Sequence, residues 1–353
     1  MRKTIRLAVI GAGIMGQKHA RIYSEIEGAE LTTIVDVDEN RAKNLAARCG
    51  ARSVYQDFRR ALDSEDLDAV HVATPDFLHK EPVIAALRSG RHVLVEKPLA
   101  TTVADAEEIV RVSSETGCHV MVNYTHRWAA PYARTREIVS RGDIGAPVMV
   151  YARKDDTLWA ATEMMSWTER TSPASYLSTH DIDLVLWFLD TDVASVYALG
   201  VKKVLVERNI DTEDAVQALV RFENGAIGTF ESCWVLPNSM PTVTDSFIEI
   251  IGEKGTIHID RIHEGLKVAT QESYQYPKLS LESEVQNRIV GGIASCLRYF
   301  VETLRAGDKP QPDANWGLKI VRISNSIQTS IRRGTVVRLD EKYYKVTNQE
   351  AKK

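Results

Sequence analysis

Residues 5–16 read IRLAVIGAGIMG, a short aliphatic run closed by glycines at 11, 13 and 16. The run is too short for a helix and rich enough in Ile, Leu and Val for a strand buried on both faces. A helical pattern from Ile14 to about Ser24 follows, so the three glycines sit at a strand-to-helix turn. Working outward, the pattern repeats. LTTIVDV (31–37), AVHVAT (69–74), HVLVEKP (92–98) and CHVMVNY (118–124) alternate with helical patterns over 40–48, 82–89 and 103–116. Strict strand–helix alternation with Val- and Ile-rich strands predicts an α/β domain over residues 1–123, a doubly wound parallel sheet of Rossmann type.

The turn itself predicts a dinucleotide site. Gly11 permits the tight turn, Gly13 lets backbone approach a pyrophosphate, and Gly16 lets the helix pack on the strand, with the helix N-terminus facing the anion. Ile14 and Met15 complete the same loop and are counted with it. Asp36, about twenty residues beyond Gly16 at the end of the second strand, is placed to bond ribose hydroxyls and to repel a 2′-phosphate. The expected cofactor is therefore NAD rather than NADP, with Arg41 as the one nearby group that offers a phosphate partner.

Composition narrows the class. The chain has 353 residues, enough for two domains, with 44% hydrophobic and 26% charged residues and a net charge of −4. So mild an acidity gives no electrostatic argument for nucleic acid or anionic membrane as partner. Cys49, Cys118, Cys233 and Cys296 are far apart and form no CxxC pair, which argues against a metal or disulfide framework and for reduced thiols in a cytoplasmic protein. Arg6 interrupts the first apolar run, so no signal peptide is expected there, and no apolar stretch is long enough to span a bilayer.

From about Pro147 the strands lengthen and alternate, and ENGA (223–226) and GEKG (252–255) mark turns between paired strands. Residues 124–353 are expected to form a second, α+β domain with a largely antiparallel open sheet. One uncovered sheet face favours a homodimer or homotetramer. The stretch 315–333 reads as an amphipathic helix packing back near the first domain and ending at Gly334, and 346–353 reads as a polar tail.

Within the second half, SPASYLSTHDIDLVLWF (172–188) predicts a helix starting near Ser178, with Ser178 and Asp181 at capping-box spacing. Ile182, Val185, Leu186 and Leu189 make one apolar stripe, and His180 and Asp183 share a neighbouring face. His180 is either a base presented at a helix start or a residue that helps to cap the helix.

Three segments carry a resemblance: GAGIMGQKHA (11–20), ATPDFLHK (73–80) and VEKPLA (95–100). With NYTHRWAAPYARTREIVSRGDIGAP (123–147) and HDIDLVLW (180–187), they make nearly the whole chain resemble the glucose–fructose oxidoreductase/inositol dehydrogenase family. The resemblance implies nicotinamide-dependent oxidoreduction of a sugar, sugar acid or cyclitol, with Thr74, Pro75 and His79 lining the cofactor site and Glu96 and Lys97 under the nicotinamide. Alcohol oxidation needs a hydride acceptor and a group that takes or shares the hydroxyl proton. Lys97, past the end of a parallel strand, stands where ligands of such sheets lie; its ordinary alternative is an ion pair with Glu96. His180 is expected as the proton acceptor, with Lys97 assisting. Family members often carry an aspartate four residues before this histidine, and here Tyr176 stands in its place, so Tyr176 and Asp183 become candidate substrate partners. Arg127 is a third, its alternative being an interdomain ion pair. Trp159 and Trp167 offer aromatic faces to a sugar ring or ordinary packing. Two other activities stay open: glycoside cleavage through transient oxidation by bound NAD, and a dinucleotide sensor without catalysis.

Overall fold

In the computed structural model, which describes residues 4–339, the aliphatic runs form strands β1 (Ile5–Ile10), β2 (Ala29–Val35), β4 (Ala69–Val72), β5 (His92–Val95) and β6 (Val120–Val122). A further three-residue strand, β3 (Ser53–Tyr55), adds to the edge, giving the order β3-β2-β1-β4-β5-β6 with every pairing parallel. The helices between them are α1 (Ile14–Tyr23), α2 (Glu39–Cys49), α3 (Phe58–Ser64), α4 (Lys80–Arg88) and α5 (Val103–Thr116). This order places the point where the strand order reverses between β1 and β4, where open α/β sheets bind ligands beyond the carboxyl ends of their strands. Local chemistry sets the helix ends: Asp38 accepts from the Arg41 N–H and Thr102 from the Asp105 N–H, while Gly50 and Gly117 take left-handed backbone after α2 and α5.

The chain crosses between compact units three times rather than once at 123/124. Among the described residues, one unit holds those up to Ala129 together with Leu281–Leu318, and the other holds Ala130–Ser280 and those from Lys319. The cause is helix α9 (Gly292–Ala306). Its Ile293, Ala294, Leu297, Phe300 and Val301 are buried in the same apolar cluster as Leu7, Val9, Tyr23, Leu31 and Ile34, so this late segment completes the cover of β1 and β2. Helix α10 (Ala314–Arg333) begins in the first unit and continues into the second. Gly317 permits its close approach, because a Cβ there would meet Val122 and Leu99 at 2.7 and 3.0 Å. Gly334, with φ of 63°, ends the helix as its sequence position suggests.

The second unit is built on the strands β7 (Pro147–Thr157), β8 (Val193–Val201), β9 (Ala215–Phe222), β10 (Ile227–Leu236), β11 (Thr244–Gly252) and β12 (Thr256–Asp260). Their order is β12-β11-β7-β10-β9-β8, closed by the short strand Val337–Arg338. The pairings are antiparallel except β7 with β10, which run parallel, so the sheet is mixed. Helices α6 (Ala130–Ser140), α7 (Pro173–Tyr176) and α8 (Ser178–Leu189) belong to this unit, α8 lying on β7 and β10. Along β9, Val216, Ala218, Val220 and Phe222 are buried and the residues between them face out. The opposite face carries Leu219 and Leu199, 60% and 61% exposed.

Two expectations for α8 need correction. Ser178 is the first helical residue and does not cap; its Oγ donates to Ser232 Oγ at 2.9 Å, and no side chain caps the helix because α7 runs almost directly into it. The buried surface is also wider than one stripe. Leu184, Phe188 and Asp183 are as buried as Ile182, and only His180 and Trp187 are partly exposed, since the helix packs on the sheet on one side and on α6 on another. The tail 346–353 lies outside the described residues. Among the described residues no helix is long and apolar enough to cross a membrane.

Candidate functional site

The glycine turn leaves β1 with the Gly11 N–H donating to the Val35 carbonyl at 2.8 Å. Gly11 has φ of +99°, and a Cβ there would stand 2.6 Å from the Ala73 carbonyl oxygen. Gly16 is tighter still: a Cβ would be 1.7 Å from the Gly11 carbonyl oxygen, so α1 can lie against the turn only with glycine at that point. Gly13 is different. Nothing lies within 4 Å of where its Cβ would be, and the neighbouring Ile14 is 56% exposed, so the N-terminus of α1 opens onto free space in which a phosphate fits. Met15 turns inward and packs on the apolar cluster.

Asp36 is the residue after β2 and is buried. Its Oδ2 accepts from the Ala12 N–H at 2.7 Å and its Oδ1 from the Asp38 N–H at 2.9 Å. The carboxylate is thus fixed against the glycine turn, and each oxygen keeps a lone pair for a ribose hydroxyl. The half-exposed Arg41 has its Nη1 3.7 Å from Asp36 Oδ1 and its Nη2 3.6 Å from Asp38 Oδ2, so it is held by the two acids.

The loops after β4 and β5 are tied together by His79. Its ring lies between the Pro98 carbonyl at 2.8 Å and the Thr74 carbonyl at 3.0 Å, to which a ring N–H donates. Burial pushes His79 down from the ordinary histidine range, with Asp76 opposing. Thr74 Oγ1 is buried without a hydrogen-bond partner, and Pro75 opens the turn Asp76–Leu78. Immediately beyond β5, Glu96 is buried and Lys97 is partly exposed. Glu96 Oε1 accepts from Asn123 Nδ2 at 2.6 Å and Oε2 from the Lys97 N–H at 3.3 Å. Burial pushes the Glu96 carboxyl up, while Asn123 and Lys97 oppose it. Arg127, in the turn after β6, stacks its guanidinium 4.5 Å over the Trp316 ring.

The first unit therefore gathers the glycine turn, Asp36, Thr74, Pro75, His79, Glu96 and Lys97 at the carboxyl edge of one sheet. The remaining candidates lie in the second unit. His180 is partly exposed on the first turn of α8, and Asp183, one turn on, is fully buried. Tyr176 ends α7 half-buried, packed against an apolar cluster of Trp234, Leu177, Met165 and Leu205, with its ring centroid 6.4 Å from that of Trp234. Trp167 joins the same cluster, whereas Trp159 is 38% exposed and donates its backbone N–H to Asn238 Oδ1 at 2.7 Å.

Sequence reasoning gave Asp181 only a capping role; burial pushes its carboxyl up to about 6 against the pull of Lys154 and Arg261. It did not find His19, His71, Asn123 and Cys296, which surround Glu96. His19 stood in the quoted GQKHA segment, yet nothing in its spacing joins it to a glutamate almost eighty residues away.

A doubly wound sheet with a glycine cradle, an acidic residue after its second strand and a lysine past its fifth strand in sequence order defines a dinucleotide-dependent oxidoreductase. Residues 5–124 match the model for the oxidoreductase family with an NAD-binding Rossmann fold, and residues 132–258 match that of the GFO/IDH/MocA C-terminal domain. The chain belongs to the GFO/IDH/MocA oxidoreductases and is an NAD-dependent dehydrogenase. It is 31% identical over 258 residues to an inositol 2-dehydrogenase of Acidothermus cellulolyticus, covering 72% of each chain. It is 27% identical over 345 residues to a myo-inositol 2-dehydrogenase of Thermotoga maritima, covering 96% of this chain and 99% of the relative. Among solved structures, a scyllo-inositol dehydrogenase of Lactobacillus casei with bound NAD(H) and scyllo-inositol aligns with a TM-score of 0.82 at 20% identity, over 95% of this chain and 99% of that one. That last likeness is one of fold.

Proposed function

We propose that this dehydrogenase acts on a secondary hydroxyl of a polyhydroxylated compound, a sugar, sugar acid or cyclitol. The observation that carries the reading is Lys97, partly exposed just past β5 on the same sheet edge as the glycine cradle, with the buried Glu96 carboxylate behind it. The inositol dehydrogenases among its relatives support a cyclitol within that class. NAD, when bound, supplies the hydride-accepting carbon. The chain's own work is to orient and to move a proton. The cradle and Asp36 hold the adenosine half and the pyrophosphate, and Thr74, Pro75 and His79 shape the loop beside it. Lys97 hydrogen-bonds the reacting hydroxyl and stabilises negative charge on its oxygen, while His180 takes the proton. Arg127, Tyr176 and Asp183 are proposed substrate partners.

The test is NADH formation by the purified protein across sugars, sugar acids and inositols, with Lys97→Ala and His180→Ala alongside. Turnover with NAD that drops at least ~100-fold in each variant is expected, the scale of a lost general acid or base. Intact NAD binding with silence across the panel refutes the reading. Release of free sugar from a glycoside without net NADH would replace it with glycoside cleavage.

The exposed apolar residues on the open face of the second sheet support assembly into a homodimer or homotetramer through that face. That Cys49, Cys118, Cys233 and Cys296 form no disulfide is in keeping with a reducing, cytoplasmic setting.

A further inference from the structure

Behind Lys97 the first unit buries a polar cluster that the reaction as described does not use. His19 of α1 and His71 of β4 stack with ring centroids 4.3 Å apart and 25° between planes. Glu96 Oε1 lies 3.5 Å from His19 Nε2. His71 Nδ1 is 3.0 Å from the Tyr23 hydroxyl, and Cys296 of α9 donates its thiol to Asn123 Oδ1 at 3.1 Å. That last bond fixes the Asn123 amide, turning its NH2 toward Glu96.

Two histidines and a glutamate with ligand atoms within 4.8 Å of one another have the composition of a metal centre. Their geometry does not. A ring nitrogen's lone pair lies in the plane of its ring, and two rings stacked face to face, with centroids 4.3 Å apart and only 25° between their planes, do not aim their lone pairs at a common point. The cluster is better understood through its protons. His19 has no exposure, and burial pushes it down to about 3, so its ring is neutral and carries a single N–H. Neither of its nitrogens has a hydrogen-bond partner at ordinary distance, which is costly for a buried donor. The 3.5 Å gap to Glu96 exceeds an ordinary N–H···O bond by only about half an ångström, and such bonds tighten in the liganded state.

We infer that His19 is a positioning residue of the hydride-transfer site, donating its Nε2–H to Glu96 and so holding that carboxylate charged against Lys97. This rests on Lys97 meeting the reacting hydroxyl, as proposed above. A charged Glu96 keeps the Lys97 ammonium protonated to higher pH, and the other groups around the carboxylate are arranged to agree with that. Asn123 and the Lys97 N–H also donate to it, and His71 is neutral, pushed down by burial. The Tyr23 hydroxyl is pushed far up by burial and stays protonated, the Cys296 thiol is spent on Asn123, and His79 on the far side of Lys97 is pushed down as well. Among the described groups facing Glu96, Lys97 is the cation.

The test is the pH profile of kcat/KM for alcohol oxidation. Its alkaline limb reports loss of the Lys97 proton; His19→Phe leaves Glu96 one donor short and favours its neutral form, so the limb is expected to move down by up to about one pH unit, the scale of the neighbouring charge that Glu96 loses when it takes up a proton. His19→Gln, which restores an amide N–H near the Nε2 position, should move it back. A purely packing role would lower the melting temperature without shifting the limb. In case His19→Phe fails to fold, 15N chemical shifts of the wild-type histidines decide: an Nε2–H tautomer at His19 is expected, and an Nδ1–H tautomer overturns the inference. An alkaline limb unmoved in a folded, NAD-binding His19→Phe overturns it too. Lys97→Met separates this failure from that of the parent reading. If Lys97→Met abolishes the limb while His19→Phe leaves it in place, His19 alone is misassigned. If Lys97→Met keeps turnover and limb alike, the Lys97 reading falls and the inference with it.

Discussion

Removing the Asp36 carboxylate should change which dinucleotide this enzyme uses. Each Asp36 oxygen already takes one backbone N–H, from Ala12 or Asp38, and offers its remaining lone pair to a ribose hydroxyl. Two charge-assisted bonds of at least about 1.5 kcal/mol each are lost in Asp36→Ala, so NAD binding should weaken by about 3 kcal/mol, or ~150-fold. NADP gains at the same time. A carboxylate and a single phosphate charge about 4 Å apart repel by about 4 kcal/mol at an effective dielectric of 20, and this repulsion disappears. Arg41, now held 3.7 Å from Asp36, is released toward the 2′-phosphate. The ratio of NADP to NAD affinity should therefore rise by at least ~1,000-fold, measured by isothermal titration of both dinucleotides so that no substrate has to be known. Asp36→Asn separates the two roles of the side chain, because its amide oxygen still accepts from the Ala12 N–H while the charge is gone. It should show the gain for NADP with a smaller loss of stability than Asp36→Ala. An unchanged ratio in both variants, with folding intact, would mean that Asp36 only ties down the glycine turn, and would refute its part in cofactor choice.

Gly16→Ala puts a methyl group 1.7 Å from the Gly11 carbonyl oxygen, an overlap with backbone that no rotamer relieves. Loss of NAD binding and a fall in melting temperature are expected, and wild-type affinity in this variant would refute the packing argument for the third glycine. Asp155, buried on β7, has its carboxyl pushed up to about 7 by burial and then by Glu231. The folded state keeps a proton that the unfolded chain releases above about pH 4, so wild-type stability falls as pH rises from about 4 to about 7 and the contribution is level beyond. Asp155→Asn lacks this decline, and its melting temperature relative to wild type should climb across that window; a difference equal at pH 4.5 and pH 8 would count against the assignment. Leu219→Glu places a charge at a position 60% exposed on the open face of the second sheet. Light scattering after gel filtration should show the wild type as a dimer or tetramer, as proposed above, and this variant at monomer mass; the same multimeric mass in both would exclude that face as the interface.

What was legible in the sequence depended on how local its cause was. The glycine turn could be read because its main constraints lie inside one strand–turn–helix unit, the positive φ of Gly11 and the contact of Gly16 with the Gly11 carbonyl, although Gly11 also meets the distant Ala73 carbonyl. The antiparallel pairs across ENGA and GEKG could be read for the same reason, as the turn and its two strands are contiguous. β3 was missed because three half-buried residues carry no period, and α9 because its role depends on β1 and β2, nearly three hundred residues earlier in the chain. The capping box at Ser178 failed on a neighbour: α7 fills the place where a free N-terminus would need a cap, and Ser178 turns to Ser232 instead. The surroundings of Glu96 follow the same logic. His19, His71, Asn123 and Cys296 come from two helices, a strand and the loop after β6, and each looks ordinary where it stands. Only the folded unit brings them together behind Lys97. The motif names the residues proposed to meet the cofactor and substrate, while the groups packed around Glu96 are contributed by distant segments, and it is those groups that need to be tested by pH rather than by loss of activity.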